Sequence, residues 1–308
     1  MSDRKNPWNE DVPFSIEGMW IATGTCQRRI NRRISGREEV EWLPYVLDRY
    51  FVSRRSERRC LVLGCSEGWV VERLCRAGFT GEIVASDIAE KALGRARERL
   101  HEFRNIVYVS ADLNSHRFEG PFDLIIAEGV LHHIENVKEC LKGLHDALAP
   151  AGMLVAVEWE GPFRFQLPDE QLRWINAALN VLPKKFRGGF AEDPERELPA
   201  TTADMARVHY PRVSAESIEA FDPSEAVAGY LLREAIAGTF RVIERKPFGG
   251  SLLSYMTGHF PFDQADKAPE VNAWLEVLIH IEDTLADTGI LPSEFVFCVP
   301  GRGDTGAT

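Results

Sequence analysis

No stretch of the 308 residues approaches the run of roughly 20 apolar residues that a bilayer-spanning helix needs. The opening MSDRKNPWNEDVPF is polar and acidic and carries no apolar core of a secretory signal. These absences set the expectation of a soluble, cytoplasmic protein with no membrane partner. Basic residues are outnumbered 36 to 47, leaving a formal charge of −11, so no global field draws the chain to nucleic acid or anionic lipid. The six cysteines (26, 60, 65, 75, 140 and 298) include no C-x-x-C pair, which argues against a zinc knuckle or a disulfide framework and for free thiols. No glycine-rich turn runs into G-K-[ST], excluding a Walker loop. Disorder is excluded in turn by 44% hydrophobic and 27% charged residues in a chain long enough to bury a large core.

What is present is a rhythm of short apolar runs and amphipathic segments beginning at Cys60. Cys60–Leu63, Ile83–Asp87, Ile106–Ser110, Phe122–Ala127 and Met153–Trp159 read as strands. Between them, helices are expected with Val70, Val71, Leu74, Cys75 and Gly78 on one face, then over Ala89–Leu100, then with Val137, Leu141, Leu144 and Leu148 inward and a stop at Pro150-Ala151-Gly152. Strands alternating with helices predict an α/β fold, a doubly wound, mostly parallel seven-stranded sheet with helical cap insertions. Residues 1–58 form an N-terminal helical arm or lid with one expected helix near Glu38–Val52, and residues 59–160 the core. Residues 161–222 form a cap insertion with a helix over Asp169–Leu182 and a loop-like tract over Lys184–Val213. Residues 223–308 complete the sheet through helix Ser224–Ala237, strand Phe240–Lys246, helix Pro269–Thr288 and strand Phe295–Val299, with a second helical insertion at 247–292. The tail from Gly301, with its Arg302-Gly303-Asp304 tripeptide, reads as a frayed end without a role.

Four segments carry chemistry. In CLVLGCSEGW, Gly64 and Gly68 allow a tight strand-to-helix turn whose free N–H groups can face a ligand. A dinucleotide fingerprint would need glycine at 66 and 69, where Ser66 and Trp69 stand, so a pyrophosphate ligand is disfavoured. In IVASDI, Asp87 closes the second strand and is placed either to accept hydrogen bonds from ribose hydroxyls or to cap the next helix. Asp112 in VYVSADL ends the third strand, where a carboxylate can meet the exocyclic amine of adenine or cap a loop. FDLIIAEGVLHHIEN runs a strand into His132 and His133.

Together these segments, over about Cys60–Glu160, resemble the class I S-adenosylmethionine-dependent methyltransferases, specifically the small-molecule group with a V-L-H-H-I stretch after the fourth strand. The resemblance implies S-adenosylmethionine as cofactor and S-adenosylhomocysteine as product. It implies that Gly64, Cys65, Ser66 and Gly68 surround the methionyl part and that Asp87 binds the ribose. Ile88 would pack on the adenine, Asp112 and Leu113 would hold it, and Glu128 and Gly129 would lie near the sulfonium. Two departures stand out: Val62 occupies the place of a usual acidic residue, and Ser66 that of a second glycine. The missing carboxylate leaves the methionyl end one ligand short unless Glu67, Glu128 or the leader supplies it.

A base of near-neutral pKa assists methylation of a hydroxyl by taking its proton. In related O-methyltransferases a histidine in this stretch is the base, and the alignment favours His132 over His133, with Glu158 or Glu160 orienting it. The alternative is that both histidines pack and cap; a metal held by His132, His133 and Glu128 is disfavoured, since adjacent helical residues diverge by about 100°. Lys184, Lys185, Arg187, Arg207, His209 and Arg212, with Phe163, Phe165, Trp174 and Phe186, suggest recognition of an anionic acceptor, or else merely balance Glu192, Asp193, Glu195 and Glu197. The expected activity is O-methylation of a small-molecule hydroxyl, on a sugar or natural product. The rivals are N-methylation and a non-catalytic cofactor-binding partner; nucleic acid is disfavoured, as no N-P-P-[YFW] motif is present. Monomer and homodimer both stay open.

Overall fold

The computed structural model describes residues 16, 18–51, 57–186 and 210–302, without the Lys184 side chain. Among them, seven strands form one sheet in the order β3-β2-β1-β4-β5-β7-β6. The strands are β1 (Arg59–Leu63), β2 (Glu82–Asp87), β3 (Ile106–Ser110), β4 (Phe122–Glu128), β5 (Leu148–Trp159), β6 (Arg241–Gly249) and β7 (Phe295–Gly301). Strands β1 to β5 pair in parallel, and β7 runs antiparallel to both β5 and β6. No described helix is long and apolar enough to cross a membrane.

Parallel strands covered on both faces need apolar residues at consecutive positions, and β1 supplies them: Cys60 and Val62 face one layer, Leu61 and Leu63 the other. Beneath the second face lie α5 (Val137–Ala147) and α8 (Leu232–Thr239), through Leu141, Leu144, Leu232 and Ile236. The first face is covered by α3 (Trp69–Arg76) and α4 (Glu90–Arg99), and also by elements from both ends of the chain: α1 (Gly24–Ser35), α2 (Trp42–Tyr50), α6 (Asp169–Val181) and α9 (Pro269–Asp287). Leu43 and Val46 of α2 share one core with Leu275 and Leu278 of α9. A buried ion pair fastens α1 to α9, with Arg29 Nη2 2.9 Å from Glu282 Oε1 and 2.5 Å from Asp283 Oδ1. Glu282 also accepts from the amides of Gly250, Leu252 and Leu253, so one carboxylate organises the start of the second insertion. That insertion leaves the sheet at Gly250, because 247–249 still belong to β6.

Several elements differ from the sequence reading. Among its described residues the leader holds two α-helices, α1 as well as α2; α1 escapes a hydrophobic-period search because its buried face includes Arg29 and Asn31. Leu148 belongs to β5, where it pairs with Phe122, and α5 ends one residue earlier. Residues 224–228 are not helical: both the amide and the hydroxyl of Ser224 donate to Asp222 Oδ1 at 2.8 Å, and Ala226 has φ +55°, so α8 begins only at Leu232 after a short 3-10 turn. A further helix, α7 (Ala215–Phe221), buries no residue and so left no apolar stripe to find. The expected helix terminus at Val52, the basic residues Arg187, Arg207 and His209, the acidic residues at 192, 193, 195 and 197, and the tripeptide's Gly303 and Asp304 lie outside the described residues.

Candidate active site

Strand order reverses between β1 and β4, and in doubly wound sheets the crevice outside the carboxyl ends at such a reversal is where ligands bind. The expected cofactor and catalytic residues lie at or just beyond the carboxyl ends of β1 to β5.

After β1 the chain turns through Gly64 and Gly68. Both have positive φ, +56° and +86°, and a Cβ on Gly68 would come within 2.7 Å of Leu100 Cδ1, so the turn packs on α4 only with glycine there. Ser66 takes φ +47°, a left-handed conformation that costs a side-chain-bearing residue of order 1 kcal/mol. Its amide donates to Asp87 Oδ2 at 2.8 Å, while Asp87 Oδ1 accepts from Ala89 N at 2.8 Å. Asp87 therefore holds the turn after β1 and starts the next helix, with acceptor capacity left over for a ligand. Burial raises its pKa. Ile88 is half exposed beside it. Cys65 is buried, and burial pushes its thiol far above the ordinary range, so it is packing and not a nucleophile.

Asp112 Oδ1 accepts from the amide and side chain of Asn114 at 2.9 and 3.2 Å, the loop-capping arrangement. Leu113 is buried in the core. Glu128 ends β4 and accepts from Trp42 Nε1 of α2 at 3.1 Å, with Arg73 of α3 3.8 Å away. Gly129 follows with φ +64°, and a Cβ there would meet nothing within 4 Å, so this backbone faces open space.

The most specific geometry lies just beyond. Glu158, fully buried on β5, accepts from the amides of Val130 and Leu131 at 2.8 Å each through Oε1, and its Oε2 lies 2.9 Å from His132 Nδ1. A carboxylate can only accept, so Nδ1 carries the proton and Nε2 is left as the basic nitrogen. Burial opposes charge on His132, but the Glu158 contact, helped by Glu225 and Asp222, outweighs it and raises the pKa above the ordinary value. His133 goes the other way: burial and the neighbouring His132 drive its pKa well down, so it is neutral. Its Nδ1 lies 3.2 Å from Ser224 Oγ.

Of the two acids expected to orient the histidine, the structure brings only Glu158 to it. Glu160 is bound by Arg245 and lies 3.6 Å from Arg233. Strand β5 ends at Trp159, so residue 160 no longer follows the pleat, and β6 on its far side supplies the cation. Of the basic residues expected to meet an anionic acceptor, Lys185 is paired with Glu270 at 2.7 Å and Arg212 with Asp169 at 2.5 Å. Glu128, turned toward Trp42, does not join the histidines. Instead Glu225 does, with Oε1 3.8 Å from His132 Nε2; His132, His133 and Glu225 present ligand atoms within 4.8 Å of one another, a set able to hold a metal ion.

Four contributors were not legible in sequence. Glu225 and Ser224 arrive on the segment after α7, held by the buried Arg164, which donates to the carbonyls of Asp222 and Pro223 at 3.2 and 2.9 Å. Trp159 stands edge-on to the His132 ring at 5.9 Å, and added Cβ atoms on Gly161 and Gly229 would strike its indole at 2.1 and 2.7 Å. Its Nε1 donates to Glu294 at 3.0 Å, which also accepts from Tyr255 and Gln171 at 2.6 Å each; burial raises Glu294 to about 7. A conspicuous glycine such as Gly161 is the single cue a reader of the sequence would have had.

Residues 61–156 match the family described as a methyltransferase domain. The chain is 29% identical over 110 residues to nodulation protein S of Sinorhizobium fredii, spanning 35% of this chain and 50% of that protein. It is 29% identical over 113 residues to the malonyl-[acyl-carrier protein] O-methyltransferase of Bacillus cereus, spanning 37% and 41%. The chain thus covers half or less of these curated relatives. Among solved structures, an S-adenosylmethionine-dependent methyltransferase from Mesorhizobium loti aligns at TM-score 0.47 and 20% identity over 84% of this chain and 98% of that one.

Proposed function

We propose that this chain, whose core belongs to the class I S-adenosylmethionine-dependent methyltransferases, methylates an oxygen of a small molecule with His132 as the base. The observation that carries the reading is the Glu158–His132 pair at the mouth of the switch-point crevice.

The crevice suits the cofactor chemically. Asp87 keeps acceptor capacity toward the ribose, Ile88 offers an exposed apolar face, and Gly129 leaves open space after β4. Bound there, S-adenosylmethionine supplies an electrophilic methyl group on sulfonium. The protein's part is to exclude water, align the acceptor and remove its proton. Alignment alone can contribute about 7–11 kcal/mol. Proton removal falls to His132 Nε2: Glu158 fixes the tautomer that leaves this nitrogen basic and stabilises the imidazolium formed when it takes the proton. Trp159, locked by Glu294 and given room by Gly161 and Gly229, walls the ring in place. The segment that carries Ser224 and Glu225 beside His132, held by Arg164, would help to select the acceptor.

A second reading has one observation in its favour. Glu225, Asp222 and Glu158 make the surroundings of His132 acidic, which suits an amine acceptor. Transfer of labelled methyl from S-adenosylmethionine to paired hydroxyl and amine acceptors separates the two. On the first reading hydroxyl products form, and His132→Ala lowers kcat by about 10²–10⁴ while S-adenosylhomocysteine binding holds. Amine products at nearly full rate in His132→Ala would move the assignment to N-methylation.

A further inference from the structure

The amino-acid end of S-adenosylmethionine is a zwitterion, and a site that grips it needs a carboxylate for the ammonium beside a cation for the carboxylate. Val62 cannot serve, being apolar and buried in the core. Glu67 is committed: its side chain is 6% exposed and Arg95 Nε binds it at 2.8 Å. At the reversal itself, where β1 and β4 lie side by side, Glu128 and Arg73 stand 3.8 Å apart, each about a third exposed, next to the open space at Gly129. Only Oε1 of Glu128 takes the Trp42 bond. Arg73 reaches Glu41 at 2.6 Å, an exposed pair of the kind worth at most about 1 kcal/mol and readily exchanged for a ligand carboxylate. The Trp42 indole stacks under the Arg73 guanidinium at 5.3 Å while its N–H holds Glu128, so one residue of the leader positions both charges.

We propose that Glu128 binds the methionyl ammonium and Arg73 the methionyl carboxylate, with Trp42 of α2 as the positioning residue that makes the N-terminal segment part of the cofactor site. The inference rests on the cofactor reading above. It replaces the carboxylate missing at position 62 with one from the neighbouring strand, and it extends the site beyond residues 61–156.

The test compares two ligands by calorimetry on the full chain: S-adenosylhomocysteine, and 5′-methylthioadenosine, which keeps the adenosine and the thioether but lacks the amino-acid end. Loss of one charge-assisted contact corresponds to roughly 10- to 150-fold in affinity. Glu128→Gln and Arg73→Gln should each weaken S-adenosylhomocysteine within that range and leave 5′-methylthioadenosine within about threefold. Trp42→Phe should weaken S-adenosylhomocysteine alone, by less. Equal losses for both ligands, or unchanged S-adenosylhomocysteine binding in folded Glu128→Gln and Arg73→Gln, overturn the proposal. A wild-type protein that binds neither ligand overturns the cofactor reading itself, and a wild type that binds both equally tightly overturns only the zwitterion subsite.

Discussion

Replacing Glu158 by Gln removes one negative charge and little volume, and the consequence follows from counting donors. Three N–H groups converge on the carboxylate, from Val130, Leu131 and His132. An amide offers one accepting oxygen. Turning that oxygen away from Val130 and Leu131 would strand two buried backbone donors at about 1–3 kcal/mol each, so the amide NH₂ must instead face His132 Nδ1. The imidazole then shifts its proton to Nε2, the nitrogen that should receive the acceptor's proton. Glu158→Gln should therefore cost about 1–3 kcal/mol in stability, lower the His132 pKa from its raised value, and reduce kcat by about 10²–10⁴. The stability term carries a sign: because the folded pKa of His132 is raised, its ion-pair contribution is complete below about pH 6.5 and fades as pH rises through the folded value. Imidazole nitrogen NMR across pH reads tautomer and pKa without needing an acceptor, and urea unfolding reads stability. A His132 that keeps its raised pKa and its Nδ1 proton in Glu158→Gln would refute the argument.

Two further perturbations reach other parts of the account. Glu294 has a folded pKa of about 7 through burial, well above a free carboxyl, so stability should decline between about pH 4.5 and 7 by an amount on the order of 3 kcal/mol. Urea unfolding should find that decline smaller in Glu294→Gln, and identical pH slopes in the two proteins would remove Glu294 as its cause. Ser66→Gly relieves a left-handed serine at some cost in chain entropy and should stabilise the fold by about 0.5–1 kcal/mol; a loss above 1 kcal/mol would show that the hydroxyl has a role of its own.

The sheet was legible because parallel strands buried on both faces are written as unbroken apolar runs, and Cys60–Leu63 and Leu124–Ala127 are of that kind. Residues at strand ends could be named for the same reason, since a parallel sheet delivers its carboxyl termini to one edge. Helix α1 was not legible: its buried face includes an arginine whose partners lie some 250 positions along the chain. Separation in sequence, shorter but still about a hundred positions or more, also hid Glu225 and Glu294, which reach His132 and Trp159. Glu158 and Glu160 looked equivalent, and what separates them is the place where β5 stops and an arginine on a strand two positions away in the sheet.

The central claim is that the crevice beside β1 and β4 binds S-adenosylmethionine through Asp87, and titration calorimetry with S-adenosylhomocysteine on wild type and Asp87→Ala tests it most directly. The account predicts saturable binding that weakens by about 2–3 kcal/mol, roughly 30- to 150-fold, in the variant. Equal affinity in the two proteins, or NAD bound as tightly as S-adenosylhomocysteine, would contradict it.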